Sequence, residues 1–145
     1  MEAQILLLLF KNLRNNKDCM QKVLIILFVA IGGAFGAIFR YILSLLLSNK
    51  IPGFPLATFL TNIIGCLIAG ILFGYLIQKE LLQSIFYYFF LIGFCGAFTT
   101  FSTFAVENVL LLQEGKYAGF LVYTLLSVIS GLALTVFGIF LGKSI

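Results

Sequence analysis

The 145-residue sequence predicts an all-α integral membrane protein: four transmembrane helices, the third broken near its middle. Three observations carry that reading. The chain is 62% hydrophobic and 10% charged, with a mean hydropathy of +1.17, whereas a soluble domain carries about 25% charged residues. Crossing the hydrocarbon takes about 20 mostly apolar residues, and four runs suffice: 23–48, 55–78, 84–112 and 117–142. The third run contains GFCGAFTTFSTF (93–104), whose hydroxyls Thr99, Thr100, Ser102 and Thr103 a lipid-facing helix does not need.

Residues 1–22 form an N-terminal extension ahead of the four-helix transmembrane domain, 23–145. ILLLLF (5–10) is too short to span and is followed at once by KNLRNNKD, so the extension is expected to lie at the interface or to be disordered. A cleaved signal peptide ending near Ala37 fits poorly, because the apolar run continues well past that point. The first run carries Arg40, past its middle and toward one aqueous mouth. An ionisable group within a span is a functional candidate by default. It either holds a local positive potential there or snorkels to headgroups.

Short separators with turn or charge signals follow each run: NKIPG (49–53), QKE (78–80) and QEGK (113–116). In the second run Asn62 is the only amide within the apolar part. Its NH2 can donate to an anion or bond across helices as structural glue. The third run, as one straight helix of about 29 residues, would reach about 43 Å, against a core of about 30 Å. A break near Gly93 and Gly96 explains both length and composition. Freed carbonyls at such a break are a natural cation site. A continuous tilted helix, with the glycines serving packing, is the alternative.

Beyond the expected break, Phe101 and Phe104 share a helix face, Thr100 and Thr103 the next, with Glu107 a turn further on. Rings turned edge-on present their positive rim to an anion, and neighbouring hydroxyls supply stronger donors. Glu107 is a poor anion ligand and is expected to pair with a donor or face a vestibule. In the fourth run Tyr123, Ser127 and Ser130 form another polar stripe. Together these residues could line a narrow path for a small anion. Gly32 and Gly36, Gly70 and Gly74, and Gly138 and Gly142 have the small-xxx-small spacing of helices packed closely in lipid.

The net charge of +4 sits mostly at Lys11, Arg14, Lys17 and Lys22, which suits anionic headgroups and gives no support to nucleic-acid binding. Lys79 and Lys143 join them on the side of the termini, and Lys50 and Lys116 face the other way: six against two, or three against two without Lys11, Arg14 and Lys17. So weak a bias lets a chain insert both ways up, and opposite copies can pair about a twofold axis in the membrane plane. The extension could instead impose one orientation, and the partner would then be a different, oppositely oriented chain. Histidine is absent, and Cys19, Cys66 and Cys95 offer neither a CxxC pair nor a zinc spacing. An enzyme is not expected.

Three stretches in order carry a resemblance. GGAFGAIFRY (32–41), TNIIG (61–65) and GFCGAFTTFSTF (93–104) resemble the first-, second- and third-helix motifs of the Fluc (CrcB-like) family of fluoride channels. The resemblance covers the chain from about residue 23 to its end. It implies an antiparallel, dual-topology dimer in the cell membrane, with two fluoride pores and a structural sodium ion at its centre. Phe101 and Phe104 would border the pore, Asn62 would be its donor, and Arg40 would sit near a vestibule. The polar track would include Ser102 or Thr103, with Tyr123 and Ser127. Main-chain carbonyls of Gly96 and Thr99 would hold the sodium. Gly131 and Ala133 stand where further hydroxyls are expected, and the extension lies outside the pattern.

The implied activity is passive export of fluoride trapped after HF enters and ionises, which protects the cell from fluoride. The assembly would be a homodimer, or a heterodimer with a related chain. A four-helix proton-coupled drug exporter would want a carboxylate deep in the first span, where this chain has Arg40. A non-conducting subunit of a heterodimeric channel is the other alternative.

Overall fold

The computed structural model describes residues 2–47, 50–51 and 53–145, with the backbone alone for 2–18. Asn49 and Pro52 of the first separator, and residue 48 at the end of the first expected run, lie outside the described residues. The described residues are mostly helical and contain no strand. Helix α1 runs from Glu2 to Leu47 and α2 from Leu56 to Gln78. Helix α3 comprises a π-helical stretch, Tyr87–Cys95, continued by one turn, Gly96–Phe98. Then come α4, Phe101–Gln113, and α5, Tyr117–Lys143. Four segments are long and apolar enough to cross a membrane: Cys19–Leu47, Leu56–Gln78, Tyr87–Gln113 and Tyr117–Lys143. They agree with the four expected runs to within a few residues. The backbone of 2–22 is helical and continues directly into the first span.

Two intimate helix pairs build the bundle. In the α2–α5 pair, backbone meets backbone: a Cβ on Gly142 would fall 2.1 Å from the Ile71 carbonyl oxygen, and one on Gly74 2.4 Å from that of Ile139. Gly70 and Gly138 are equally closed, by Thr135 and Leu67. In the α1–α3 pair, Cβ atoms on Gly32 and Gly36 would each lie 2.2 Å from a carbonyl oxygen, of Phe89 and Phe94. A π-helix is wider than an α-helix. The bare Gly32–Gly36 face of α1 makes room for that extra width. In lipid, where water gives helices no reason to associate, such close approach supplies the attraction.

The third span is broken, as its length required, but three to four residues past Gly96, the later of the two glycines near which the break was expected. Thr99 (φ −73°, ψ 156°) and Thr100 (φ −147°, ψ 114°) are extended, between α3 and α4. Gly93 and Gly96 are helical. Gly93 is buried, and a Cβ there would lie 2.8 Å from the Val29 carbonyl oxygen. It serves packing against α1. The break falls on the threonines because β-branched residues accept extended backbone readily and Thr100 caps the helix that follows.

Candidate pore and vestibule at the break in the third span

A break within the apolar slab exposes backbone groups that must find partners. Asn62, on α2, supplies both for Thr100. Its Nδ2 donates to the Thr100 carbonyl oxygen at 3.1 Å, and the Thr100 N–H donates to its Oδ1 at 2.8 Å. An amide carries a carbonyl acceptor and an NH2 donor side by side, so it can serve both groups at once. One Nδ2 hydrogen is left over. Of the two roles open to Asn62 in the sequence, the bond to the backbone is thus present, and a donor remains for another acceptor.

Thr100 also caps α4: its Oγ1 accepts from the Thr103 N–H at 3.3 Å and donates to Thr103 Oγ1 at 3.0 Å. The Thr99 hydroxyl and N–H both donate to the Cys95 carbonyl oxygen, at 3.0 and 3.1 Å. Arg40 reaches the break from α1, its Nε donating to the Ala97 carbonyl oxygen at 3.1 Å. The carbonyls of Gly96 and Thr99, by contrast, accept no hydrogen bond from the described residues.

Beside the break a cavity of about 300 Å³ is lined by Arg40, Tyr41, Ser44, Thr58, Thr61, Thr100 and Thr103, among others. Its lining carries one charged side chain, Arg40, among several hydroxyls, so the vestibule is positively charged. A second cavity of about 470 Å³ is lined by Gly53, Phe54 and Pro55 ahead of α2 and has Glu107 in its wall. The Glu107 carboxylate takes two short bonds: Thr58 Oγ1 donates to Oε1 and the Tyr123 hydroxyl to Oε2, each at 2.7 Å. Glu107 therefore both pairs with donors and borders a vestibule. Neutral hydroxyl donors fix that carboxylate without a cation.

Phe101 and Phe104 stand on one face of α4, ring centroids 6.0 Å apart. Phe101 is 80% exposed in the single chain, and Phe104 is half-buried against Tyr123, centroids 5.2 Å apart. Tyr123 is fully buried. Ser102 is exposed, its Oγ 3.4 Å from that of Thr100, and Thr103 is half-buried. The Ser127 Oγ is buried and has no hydrogen-bond partner among the described residues. An orphaned buried hydroxyl costs free energy and is a donor held in reserve.

Several polar residues were not singled out in the sequence. Thr61 is buried and bonds back to Ala57. Asn108, also buried, donates to the Phe104 carbonyl oxygen and accepts from the Thr124 hydroxyl at 2.7 Å. Thr135, in α5, donates to the carbonyl oxygens of Gly131 (2.9 Å) and Cys66 (3.5 Å). Position offered a signal for some of the polar residues here: Thr58 lies one helical turn before Asn62, Asn108 follows Glu107, and Thr124 follows Tyr123.

Residues 27–139 match the family model of the CrcB-like protein, Camphor Resistance (CrcB). Curated relatives named fluoride-specific ion channel FluC match over most of their length. That of Azobacteroides pseudotrichonymphae is 41% identical over 114 residues, covering 78% of this chain and 91% of the relative. That of Flavobacterium psychrophilum is 39% identical over 121 residues, covering 83% and 98%. That of Chlorobium phaeobacteroides is 41% identical over 124 residues, covering 86% and 96%. The chain belongs to the CrcB-like family. As a CrcB-like protein with four membrane-crossing segments it is a multi-pass protein of the cell membrane.

Proposed function

We propose that this chain is a fluoride-selective channel, not an enzyme, that lets cytoplasmic fluoride leave passively. The observation that carries the reading is the match to relatives named for that activity over nearly all of their length. The break supplies fitting chemistry. A small anion gives up water only where donors replace it, since an unpaired ion in an apolar medium is very costly. The Arg40 vestibule draws the anion in. The spare Nδ2 hydrogen of Asn62 and the hydroxyls of Ser102, Thr103 and Ser127 stand ready to donate, with the Phe101 and Phe104 rims alongside. Tyr123 holds its own proton toward Glu107 and orders that wall of the path. An interior-negative potential supplies about 2.3 kcal/mol per charge per 100 mV, so no coupled energy source is needed.

The pore is completed by a second chain packed antiparallel, either another copy or a related chain. Phe101, bare in the single chain, is then covered. The free carbonyls of Gly96 and Thr99 fit a sodium ion, which takes oxygen donors from unwound backbone. Each chain provides two, and the partner the remainder. Bound there, sodium would offset the carbonyl dipoles at the contact and hold the two chains together.

Purified protein in liposomes loaded with potassium fluoride tests the reading. On addition of a potassium ionophore, fluoride should flow out and chloride should not. Liposomes that retain fluoride would overturn it. Dimers that persist equally well in sodium-free and sodium-containing buffer would remove the ion from the contact.

A further inference from the structure

The cavity beside Glu107 has the wrong charge for an anion. Among the described residues, its charged lining is Glu107, Glu114 and Lys116. Lys116 Nζ lies 2.7 Å from Glu114 Oε2 at the exposed rim, so those two charges offset each other. The Glu107 carboxylate is left uncompensated. Thr58 and Tyr123 each donate a hydroxyl to one of its oxygens, and neither brings a positive charge. A carboxylate has about four acceptor sites, so each oxygen can accept again. Glu114 stands about two turns further on, just past the end of α4 and about 10 Å of rise nearer the loops. Glu107 is thus the inner end of a slot that opens at that rim.

The remaining walls are apolar, among them Leu47, Phe54, Leu56, Leu110 and Leu111. Phe54 is set edge-on against Phe59 and Tyr123, ring centroids 5.5 Å apart in each case, so that wall stands before any ligand arrives. The volume of about 470 Å³ is that of a small-molecule site, which is mostly apolar with a few convergent polar groups. We propose that this cavity binds an organic cation with a flat apolar body, its amidinium or guanidinium fork on the Glu107 carboxylate and its body between Phe54 and the leucines. An anion would meet the carboxylate charge. A bare metal ion takes several oxygen ligands, and no group of three metal-ligating side chains occurs among the described residues. A neutral apolar molecule would cover the carboxylate without answering its charge, which is costly. A planar fork can donate to both oxygens at once. Ala57 lines this slot and the Arg40 vestibule alike, and Thr58 joins the vestibule wall to Glu107, so two sites of opposite charge share a partition. The inference rests on the cavity and its charge, and is independent of the channel reading.

The test titrates benzamidine calorimetrically into the purified full chain in fluoride-free detergent buffer, with benzamide as the neutral molecule of the same shape. Benzamidine should saturate a single site per chain and bind about tenfold or more tightly than benzamide. Glu107→Gln keeps the shape of the slot and should abolish that preference. Glu114→Gln, an exposed change, frees Lys116 and brings the net charge of the lining to zero, so benzamidine should weaken and benzamide should not. Equal binding of the two molecules, or binding of neither, would overturn the proposal. So would undiminished benzamidine binding by Glu107→Gln. Should that variant fail to fold, Glu114→Gln decides alone, and an unchanged benzamidine affinity there overturns the site. Displacement of benzamidine by calcium chloride, but not by sodium chloride of equal ionic strength, would hand the carboxylate to a metal instead. No flux is measured, so a failed channel reading would leave these outcomes untouched.

Discussion

Cut across the bundle at the level of the break and its two ends use opposite means of holding together. Toward the termini, α2 and α5 touch glycine to carbonyl, at Gly70, Gly74, Gly138 and Gly142. Few side chains intervene. Toward the loops, hydroxyls, amides and a carboxylate fill the same space: Thr58 and Tyr123 on Glu107, Thr124 on Asn108, Asn62 on Thr100. Polar groups cost dearly in lipid. Most of the side-chain bonds between helices gather at that end, with Thr135 on the Cys66 carbonyl outside it, and the glycine end serves as the frame against which it is held.

The sharpest way to break the contrast is a single methyl group. Gly142→Ala would place Cβ against the Ile71 carbonyl oxygen and the Tyr75 nitrogen, neither of which can move without its helix. Overpacking costs about 1–3 kcal/mol, occasionally more, and a backbone-on-backbone clash belongs at the upper end. The variant should lose most of its thermal stability in detergent. Gly131→Ala is its counterpart: the first atom met is the Cys66 sulfur at an ordinary 3.5 Å. That protein should melt as the unsubstituted chain does. Equal melting of both variants would mean that glycine contact is not the frame.

Next in size is Asn62→Ala. It strips the Thr100 N–H and C=O of their partners in an apolar setting, at about 1–3 kcal/mol for each orphaned group. Both melting temperature and fluoride flux should fall, with dimers still forming on size-exclusion chromatography. Flux that survives unchanged would remove Asn62 from the path and from the support of the break. Glu107→Gln should do less. A glutamine oxygen can serve one hydroxyl while its NH2 faces the other, so one of Thr58 and Tyr123 must turn its proton elsewhere, at about 1 kcal/mol. A modest loss of stability with a clear loss of flux is expected. An unaltered flux would make the carboxylate mere packing.

The contrast also explains what could be read in the sequence. Four spans were legible because length and apolarity alone decide a crossing. The break was legible from the length of the third run and its hydroxyls, but not its site. Gly93 and Gly96 looked like the weak point, yet lipid-phase packing claimed Gly93 for α1, and the distant Asn62 amide stabilised extended backbone at Thr99 and Thr100. Asn108, Thr61 and Thr124 stayed hidden for a related reason. A threonine or an amide in an apolar run looks the same whether it bonds back to its own helix, as Thr61 does, or across to another, as Thr124 does. Only the packing of α4 on α5 separates them.

Phe101→Ile should disturb the fold least and is the cleanest probe of function. Because Phe101 is 80% exposed in the single chain, little within the chain depends on it, and melting of the monomeric fold should not shift. Flux is another matter. An aliphatic side chain keeps the bulk but loses the positive ring edge, and with it the only attraction an apolar side chain can offer an anion without a formal donor. Fluoride release from liposomes should weaken while dimers persist. If the isoleucine variant conducts as well as the phenylalanine, the rims are spectators. The selectivity would then have to reside wholly in the hydroxyls and the amide of the loop-side end.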